Sequence, residues 1–126
     1  MTGFGDFTDL EVYKLAERLG DFIWDIVLAW PHLAQNTPGT QLIRAADSIG
    51  ANISEGHGSE SAAENRRFVR IGRRSLNETR HWLRRCQKRK LLTRQQEATI
   101  HEILQKLGPM LGSYLKSINR KVIAKK

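Results

Sequence analysis

Apolar side chains recur at every third or fourth position along four stretches of this chain, and this period constrains the fold more than any other feature. A period near 3.6 is typical of a helix that packs against a core on one side. The clearest stretch contributes Ile100, Ile103, Leu104, Leu107, Met110, Leu111, Tyr114, Leu115 and Ile118. Since no stretch alternates apolar and polar residues as a half-buried strand does, the sequence predicts an all-α fold.

Helix-capping residues divide the chain between these stretches. Three pairs have the spacing of a capping box, namely Thr8 with Glu11, Ser61 with Glu64, and Thr93 with Gln96. After a predicted loop from Pro31 to Asn36, Thr37 and Pro38 are typical of a cap followed by a first-turn proline. The predicted helices span about 9-29, 38-55, 62-89 and 94-120, within one domain over 1-126. Short connections favour an antiparallel up-down-up-down four-helix bundle, with a kink expected at Pro109.

Charge and cysteine content narrow the classes of function. The 126 residues carry a formal net charge of +8, which favours a polyanionic partner. No stretch approaches the length of a membrane span and no secretion signal is visible, so we expect a cytoplasmic protein. We expect no binding to a membrane surface, because a helix that lies on a membrane usually carries larger apolar residues than Gly72, Ser75 and Thr79. The lone Cys86 excludes an internal disulfide and is expected to be a buried core thiol.

Positive charge is concentrated between residues 66 and 94, where twelve Lys and Arg accompany one acid, Glu78. Helical winding predicts a cationic face opposite a buried face of Phe68, Gly72, Ser75, Thr79, Trp82, Leu83 and Cys86. Like charges four residues apart repel in an isolated helix, which indicates a partner that offsets the repulsion. The predicted nucleic-acid contacts are Arg66, Arg70, Arg73, Arg74, Arg84 and Lys88. Aromatic residues are absent from this face, which favours contacts to phosphates over base stacking.

A second polar stripe lies on the predicted second helix. It comprises Arg44, Ser48, Asn52 and Glu55, which Ser75 and Glu78 of the third helix are expected to join. We interpret these six residues as a structural polar network that fixes the register of the two helices. Neither an activated nucleophile nor a metal-binding cluster is visible, so we predict a protein that is not an enzyme and has no cofactor or metal.

A different use of the basic face remains open. The first predicted helix carries an acidic outer face of Glu11, Glu17, Asp21 and Asp25. In a ring with one repeated interface, this face could contact the basic helix of a neighbouring subunit. The alternative function is then that of a structural or interaction protein with no nucleic-acid role.

Several segments carry a resemblance to known families. FTDLEV at 7-12, QLIRAADSIGANISEG at 41-56 and SLNE at 75-78 resemble the four-helix-bundle proteins encoded in intervening sequences of bacterial 23S rRNA genes. LGSYL at 111-115 and NRK at 119-121 are similar to the accessory variability determinant proteins of diversity-generating retroelements, which belong to the same superfamily.

The resemblance implies a ring-shaped homopentamer with a basic surface and no enzymatic activity. For the retroelement branch it implies binding to RNA or DNA and to a reverse transcriptase. Together with the cationic face, it leads us to predict a non-catalytic nucleic-acid-binding accessory protein whose binding is backbone-directed and salt-sensitive.

Overall fold

The computed structural model describes residues 5–125, and within that range all regular structure is helical. The short α-helices are α1 (Gly5–Thr8) and α3 (His32–Ala34), and a π-helical turn (Gln35–Gly39) follows α3 directly. The four long helices are α2 (Glu11–Leu28), α4 (Thr40–His57), α5 (Ala62–Lys88) and α6 (Arg94–Ala124). The prediction of an all-α fold with four long helices is therefore confirmed. Residues 1–4 and 126 of the predicted domain lie outside the described residues.

Each long helix packs against two others. Helix α2 contacts α4 and α6, and α5 contacts the same two helices from the other side. In the α4/α5 pair, Ser48 contacts Ser75, whereas the later residue Gly56 lies beside the earlier residue Asn65. Residue numbers thus rise along one helix as they fall along its neighbour, which is compatible with the predicted antiparallel up-down-up-down order.

The apolar stripes of the four helices meet in one core. Its fully enclosed side chains include Leu19, Ile23, Leu42, Ile49, Ile53, Val69, Leu76, Ile103, Leu107 and Leu111. On α5, Gly72, Ser75, Thr79, Leu83 and Cys86 are buried as predicted, together with Val69 and Leu76. Phe68 and Trp82 are half-buried at the edges of this face. Among residues 5–125, no helix is long and apolar enough to cross a membrane.

The start of α2 differs from the prediction. The N-cap residue is Leu10, whose φ of -70° and ψ of 126° are extended and whose side chain makes no capping hydrogen bond. Thr8 lies instead at the end of α1. Because a residue in a helical turn does not have the extended backbone of an N-cap, the prediction that Thr8 is the N-cap of this helix is wrong.

The segment predicted as a loop before α4 is helical. The Thr40 amide donates to the Gln35 carbonyl, five residues back, across the π-helical turn that contains Pro38. Such a wider turn accommodates a proline, which lacks an amide proton and crowds a carbonyl one turn earlier. Thr37 donates its hydroxyl to the Leu33 carbonyl over 2.8 Å and does not cap α4. The predicted helix start at Thr37-Pro38 is therefore wrong.

The two later caps are found where the sequence placed them. The Ser61 hydroxyl accepts the Glu64 amide over 3.1 Å. Thr93 and Gln96 form a reciprocal capping box over 3.1 and 2.9 Å. Helix α6 continues through Pro109 and ends at Ala124, beyond the predicted residue 120, because Val122 packs into the core.

Lys90, just after the end of α5, has a left-handed backbone conformation, which is unfavourable for a residue with a β-carbon. Lys90 has a φ of 59°, and the Leu91 amide donates to the Cys86 carbonyl over 3.0 Å, as in a Schellman motif. A side chain in this left-handed region costs about 1–2 kcal/mol, whereas glycine adopts it freely. We expect Lys90→Gly to raise the free energy of unfolding by about 1 kcal/mol in urea denaturation. Lys90→Ala retains the β-carbon and should show no such gain; an equal gain from both would contradict this explanation.

Candidate nucleic-acid interface

Helix α5 presents its cations on the side opposite the core. It is 27 residues long, or about 40 Å at the rise of an α-helix, and its buried residues occupy one face. Arg70, Arg73, Arg74, Arg84 and Lys88 are exposed, and Arg66 is half-buried. The cationic face predicted from the sequence is therefore present in the structure.

Among the described residues, these cations have no carboxylate partner. In the described part of the protein, the one salt bridge within 4.0 Å joins Lys14 to Glu11, both on α2. The side chain of Glu78, the single acid of the basic stretch, is exposed and pairs with none of the neighbouring arginines. The positive charge of α5 is thus not neutralised by the fold.

Two grooves run between α5 and α6, and several of the cations line them. The first, which we call the Arg66 groove, encloses about 540 Å³. It is lined by Arg66, Arg70 and Arg73 of α5 and by Pro109, Gly112, Ser113, Leu115, Lys116 and Asn119 of α6. Its lining contains no carboxylate. Arg66 donates from Nη1 to the Asn119 Oδ1 over 2.8 Å, which links the two walls.

The second groove, the Arg84 groove, has a different character. It encloses about 650 Å³ and is lined by Arg80, Leu83, Arg84, Gln87, Leu92, Arg94, Glu97, Ala98, Ile100, His101 and Leu104. Glu97 places a carboxylate in this lining and accepts a hydrogen bond from Gln87 over 3.4 Å. Much of the surface is aliphatic, so this groove is less uniformly cationic than the first.

Arg80 of the Arg84 groove lies against Gly108 of α6. A β-carbon on Gly108 would lie 2.9 Å from its Nη2 atom, so the guanidinium lies directly over this turn of α6. Of the six predicted contacts, Arg66, Arg70 and Arg73 line the first groove and Arg84 lines the second. Arg74 and Lys88 are exposed but line neither groove.

The set of predicted contacts omitted the residues that α6 contributes. Ser113, Lys116 and Asn119 form a polar stripe with spacings of three residues, which brings them to one side of a helix. That spacing is a signal in the sequence. Its connection to the arginines depends on which helix packs beside α5, and local spacing does not contain that information.

Three of the six residues of the predicted polar network meet between α4 and α5. The Ser48 and Ser75 hydroxyls lie 2.9 Å apart. Asn52 donates from Nδ2 to the Ser48 hydroxyl over 3.0 Å and to the Ser48 carbonyl over 2.8 Å. Within the described residues, the exposed side chains of Arg44, Glu55 and Glu78 form no hydrogen bond to this cluster. The observed network is smaller than the predicted one because charged groups at the rim of the helix pair remain solvated.

Cys86 is fully buried, as predicted. Burial raises the pKa of its thiol to about 11, although the nearby Arg89 opposes this effect. The thiol is therefore protonated at neutral pH, where only a thiolate would be an effective nucleophile.

The outer face of α2 is acidic and partly apolar. Glu11, Glu17, Asp21 and Asp25 are all exposed. Trp24 and Leu28, one turn apart on the same helix, are 50% and 57% exposed. Burial, together with the charge of Asp21, raises the pKa of the Asp47 carboxyl, which lies against Gly20 of α2. The outer face of α2 thus carries negative charge, whereas the outer face of α5 carries positive charge.

Fold and surface thus define an all-helical, four-helix protein with an unneutralised cationic face. The profile of the family described as 23S rRNA-intervening sequence protein matches residues 8–113, and the chain belongs to that family. No curated protein sequence gives a significant match. Five of the eight residues behind the retroelement resemblance, at 114, 115 and 119–121, lie beyond the family match, and the connection to retroelements stays a prediction.

A solved structure shares the fold. It is a crystal structure of a protein of unknown function from the S23 ribosomal protein family of Bacteroides thetaiotaomicron. The TM-score is 0.73 at 24% sequence identity, and the match covers 83% of this chain and 98% of that one. At this identity the similarity supports the fold alone.

Proposed function

We propose that this protein is a non-catalytic, cytoplasmic nucleic-acid-binding accessory protein that contacts the phosphodiester backbone through α5 and the adjoining surface of α6. The observation that carries the proposal is the row of exposed cations on α5 without a carboxylate partner within the described chain. Each arginine offers a planar fork of donors that suits phosphate, and neutralised phosphates release their counterions.

The chemistry of the surface favours recognition of the backbone over recognition of bases. Neither groove between α5 and α6 is lined by Phe, Tyr or Trp, and His101 in the Arg84 groove is the one aromatic ring in the two linings. Stacking on aromatic side chains is the usual route to reading unpaired bases. We therefore expect similar affinities for different sequences of the same length and strand type.

A salt titration tests this function. With about five phosphates contacted, the logarithm of the binding constant should fall with the logarithm of salt concentration, with a slope of about -4.5 for duplex DNA and about -3.5 for single strands. Fluorescence anisotropy with labelled RNA, DNA and hybrid probes, between about 50 and 200 mM salt, measures both slopes. Absence of binding at the lowest salt concentration would reject the function, and the ranking of the three probes would identify the preferred strand type.

Assistance to a reverse transcriptase is a finer part of the proposal. Its support is the resemblance of 111–115 and 119–121 to the accessory proteins of diversity-generating retroelements. A reverse-transcriptase gene and a variable repeat beside the gene for this chain would favour it. If neither is found beside the gene, the cations of α5 remain as the support for the backbone-binding function.

A second candidate function is assembly into a ring, which the resemblance describes as a homopentamer. The exposed Trp24 and Leu28 beside the acids of α2 favour this candidate, because such a face could contact the basic surface of another copy. Reversal of Glu17, Asp21 and Asp25 to lysine should then dissociate the oligomer in sedimentation velocity. If the oligomer survives this reversal and the protein binds RNA, the cations of α5 are not consumed between subunits.

A further inference from the structure

We propose that the Arg66 groove is the principal phosphate-binding site of this protein and that α6 supplies its second wall through Lys116, Ser113 and Asn119. This inference rests on the proposed function, which it makes more specific. The proposed site is this defined cleft, and not the whole cationic face of α5, and it holds the backbone of one nucleic-acid strand.

The charges of the groove match a short run of phosphates. Arg66, Arg70 and Arg73 follow one another at spacings of four and three residues, so they share one wall. Seven residues of helix span about 10 Å, so the three guanidinium groups can reach successive phosphates of one strand. Lys116 adds a fourth cation from the opposite wall, and no acid in the lining opposes them.

One of the arginines is already held in place. The hydrogen bond from Arg66 to Asn119 uses one of the five N–H donors of the guanidinium and leaves the others for a ligand. A side chain held in this way loses less conformational entropy when a phosphate binds. The Ser113 hydroxyl, exposed at the same groove, provides a neutral donor.

The floor of the groove is open where Gly112 lies. A β-carbon at this position would find no heavy atom within 4 Å, in contrast to Gly108, where the Arg80 guanidinium lies 2.9 Å away. A β-carbon at residue 112 therefore meets no neighbouring element, and a longer side chain attached to it would occupy space in the groove. The Arg84 groove, with Glu97 and an aliphatic floor, suits a phosphate backbone less well.

A substitution that fills the groove without changing its charge tests whether nucleic acid binds in the groove or is attracted only by the overall positive charge. We expect Gly112→Leu to weaken binding of a single-stranded RNA of about 20 nucleotides by about 10-fold at low salt. Gln105→Leu, which places the same side chain at an exposed position of α6 that lines neither groove, should bind as the wild type does. Helix content and melting temperature, measured by circular dichroism, establish that each variant is folded.

A pair of charge variants provides the second measurement. Lys116→Ala removes a cation of the groove, whereas Lys106→Ala removes an exposed cation of the same helix that lines neither groove. Lys116→Ala should weaken binding about fivefold and reduce the salt slope by about one unit, as expected for the loss of one phosphate contact. Lys106→Ala should change the affinity by less than about twofold and leave the salt slope unchanged.

The outcomes distinguish the two proposals. If the wild type does not bind nucleic acid, the proposed function itself fails. If the wild type binds, and Gly112→Leu and Lys116→Ala bind equally well, the function stands and the groove is rejected in favour of the outer face of α5. Should Gly112→Leu not fold, equal behaviour of Lys116→Ala and Lys106→Ala would reject the groove.

Discussion

Replacement of Arg70, Arg74 and Arg84 by glutamate is expected to reduce nucleic-acid affinity by about 100-fold or more at low salt, because each change removes an attraction and adds a repulsion. The three residues are exposed and unpaired within the described chain, so their reversal should leave the core unaffected. The salt slope should become shallower by about one unit for each lost phosphate contact. Anisotropy titrations over the same salt series as for the wild type measure both quantities.

A control variant with the same net charge tests whether the position of the reversed cations matters. Arg18, Lys106 and Lys121 are exposed cations on α2 and α6 that line neither groove. Their reversal to glutamate gives the same change in formal net charge, from +8 to +2. We expect a much smaller loss of affinity than for the α5 variant. Equal losses in the two variants would show that net charge alone attracts the nucleic acid, and the α5 interface would then be rejected.

Gly56→Ala is expected to lower the free energy of unfolding by about 2 kcal/mol, or roughly 8 °C in melting temperature. A β-carbon on Gly56 would lie 3.0 Å from the Asn65 carbonyl oxygen and 3.1 Å from the Phe68 β-carbon. Asn65 cannot yield through its side chain alone, because its backbone oxygen is part of the contact. The ends of α4 and α5 would have to separate, and this cost should exceed the gain in helix propensity.

Gly112→Ala is the matched control for this stability measurement. The same methyl group is added within a helix, but the added carbon has no heavy atom within 4 Å outside the backbone of its own helix. Alanine is favoured over glycine in a helix by about 0.5–1 kcal/mol, so this variant should be more stable than the wild type. Urea denaturation of both variants measures the two effects. Stabilisation by Gly56→Ala would contradict the close approach of α4 and α5, and destabilisation by Gly112→Ala would contradict the open space beside residue 112 of α6.

The helices and their buried faces could largely be predicted from local pattern. The stripe from Ile100 to Ile118 is buried at Ile103 and Leu107, and the caps at Ser61 and Thr93 form as their spacing indicates. Both signals act within one or two turns of the chain, where side-chain spacing and backbone hydrogen bonding are directly coupled.

The incorrect boundaries have a different origin. Thr8 has the spacing of a cap, but it lies in the turn of α1, and the extended position next to α2 belongs to Leu10. In the segment before α4, Gln35 donates hydrogen bonds to the Val27 and Leu28 carbonyls at the end of α2. These contacts help a helical turn to form where composition indicated a loop, because they satisfy carbonyl groups of a different helix.

By itself, the sequence determined that four amphipathic helices form and that positive charge is concentrated on one of them, because both properties depend on residue spacing within a helix. Only the tertiary structure decided where that charge meets a second wall. The Arg66 groove exists because α6 packs beside α5 and brings Lys116 and Asn119 opposite the arginines. Such a pairing depends on the packing of distant segments, so the site could be recognised only once the helices were assembled.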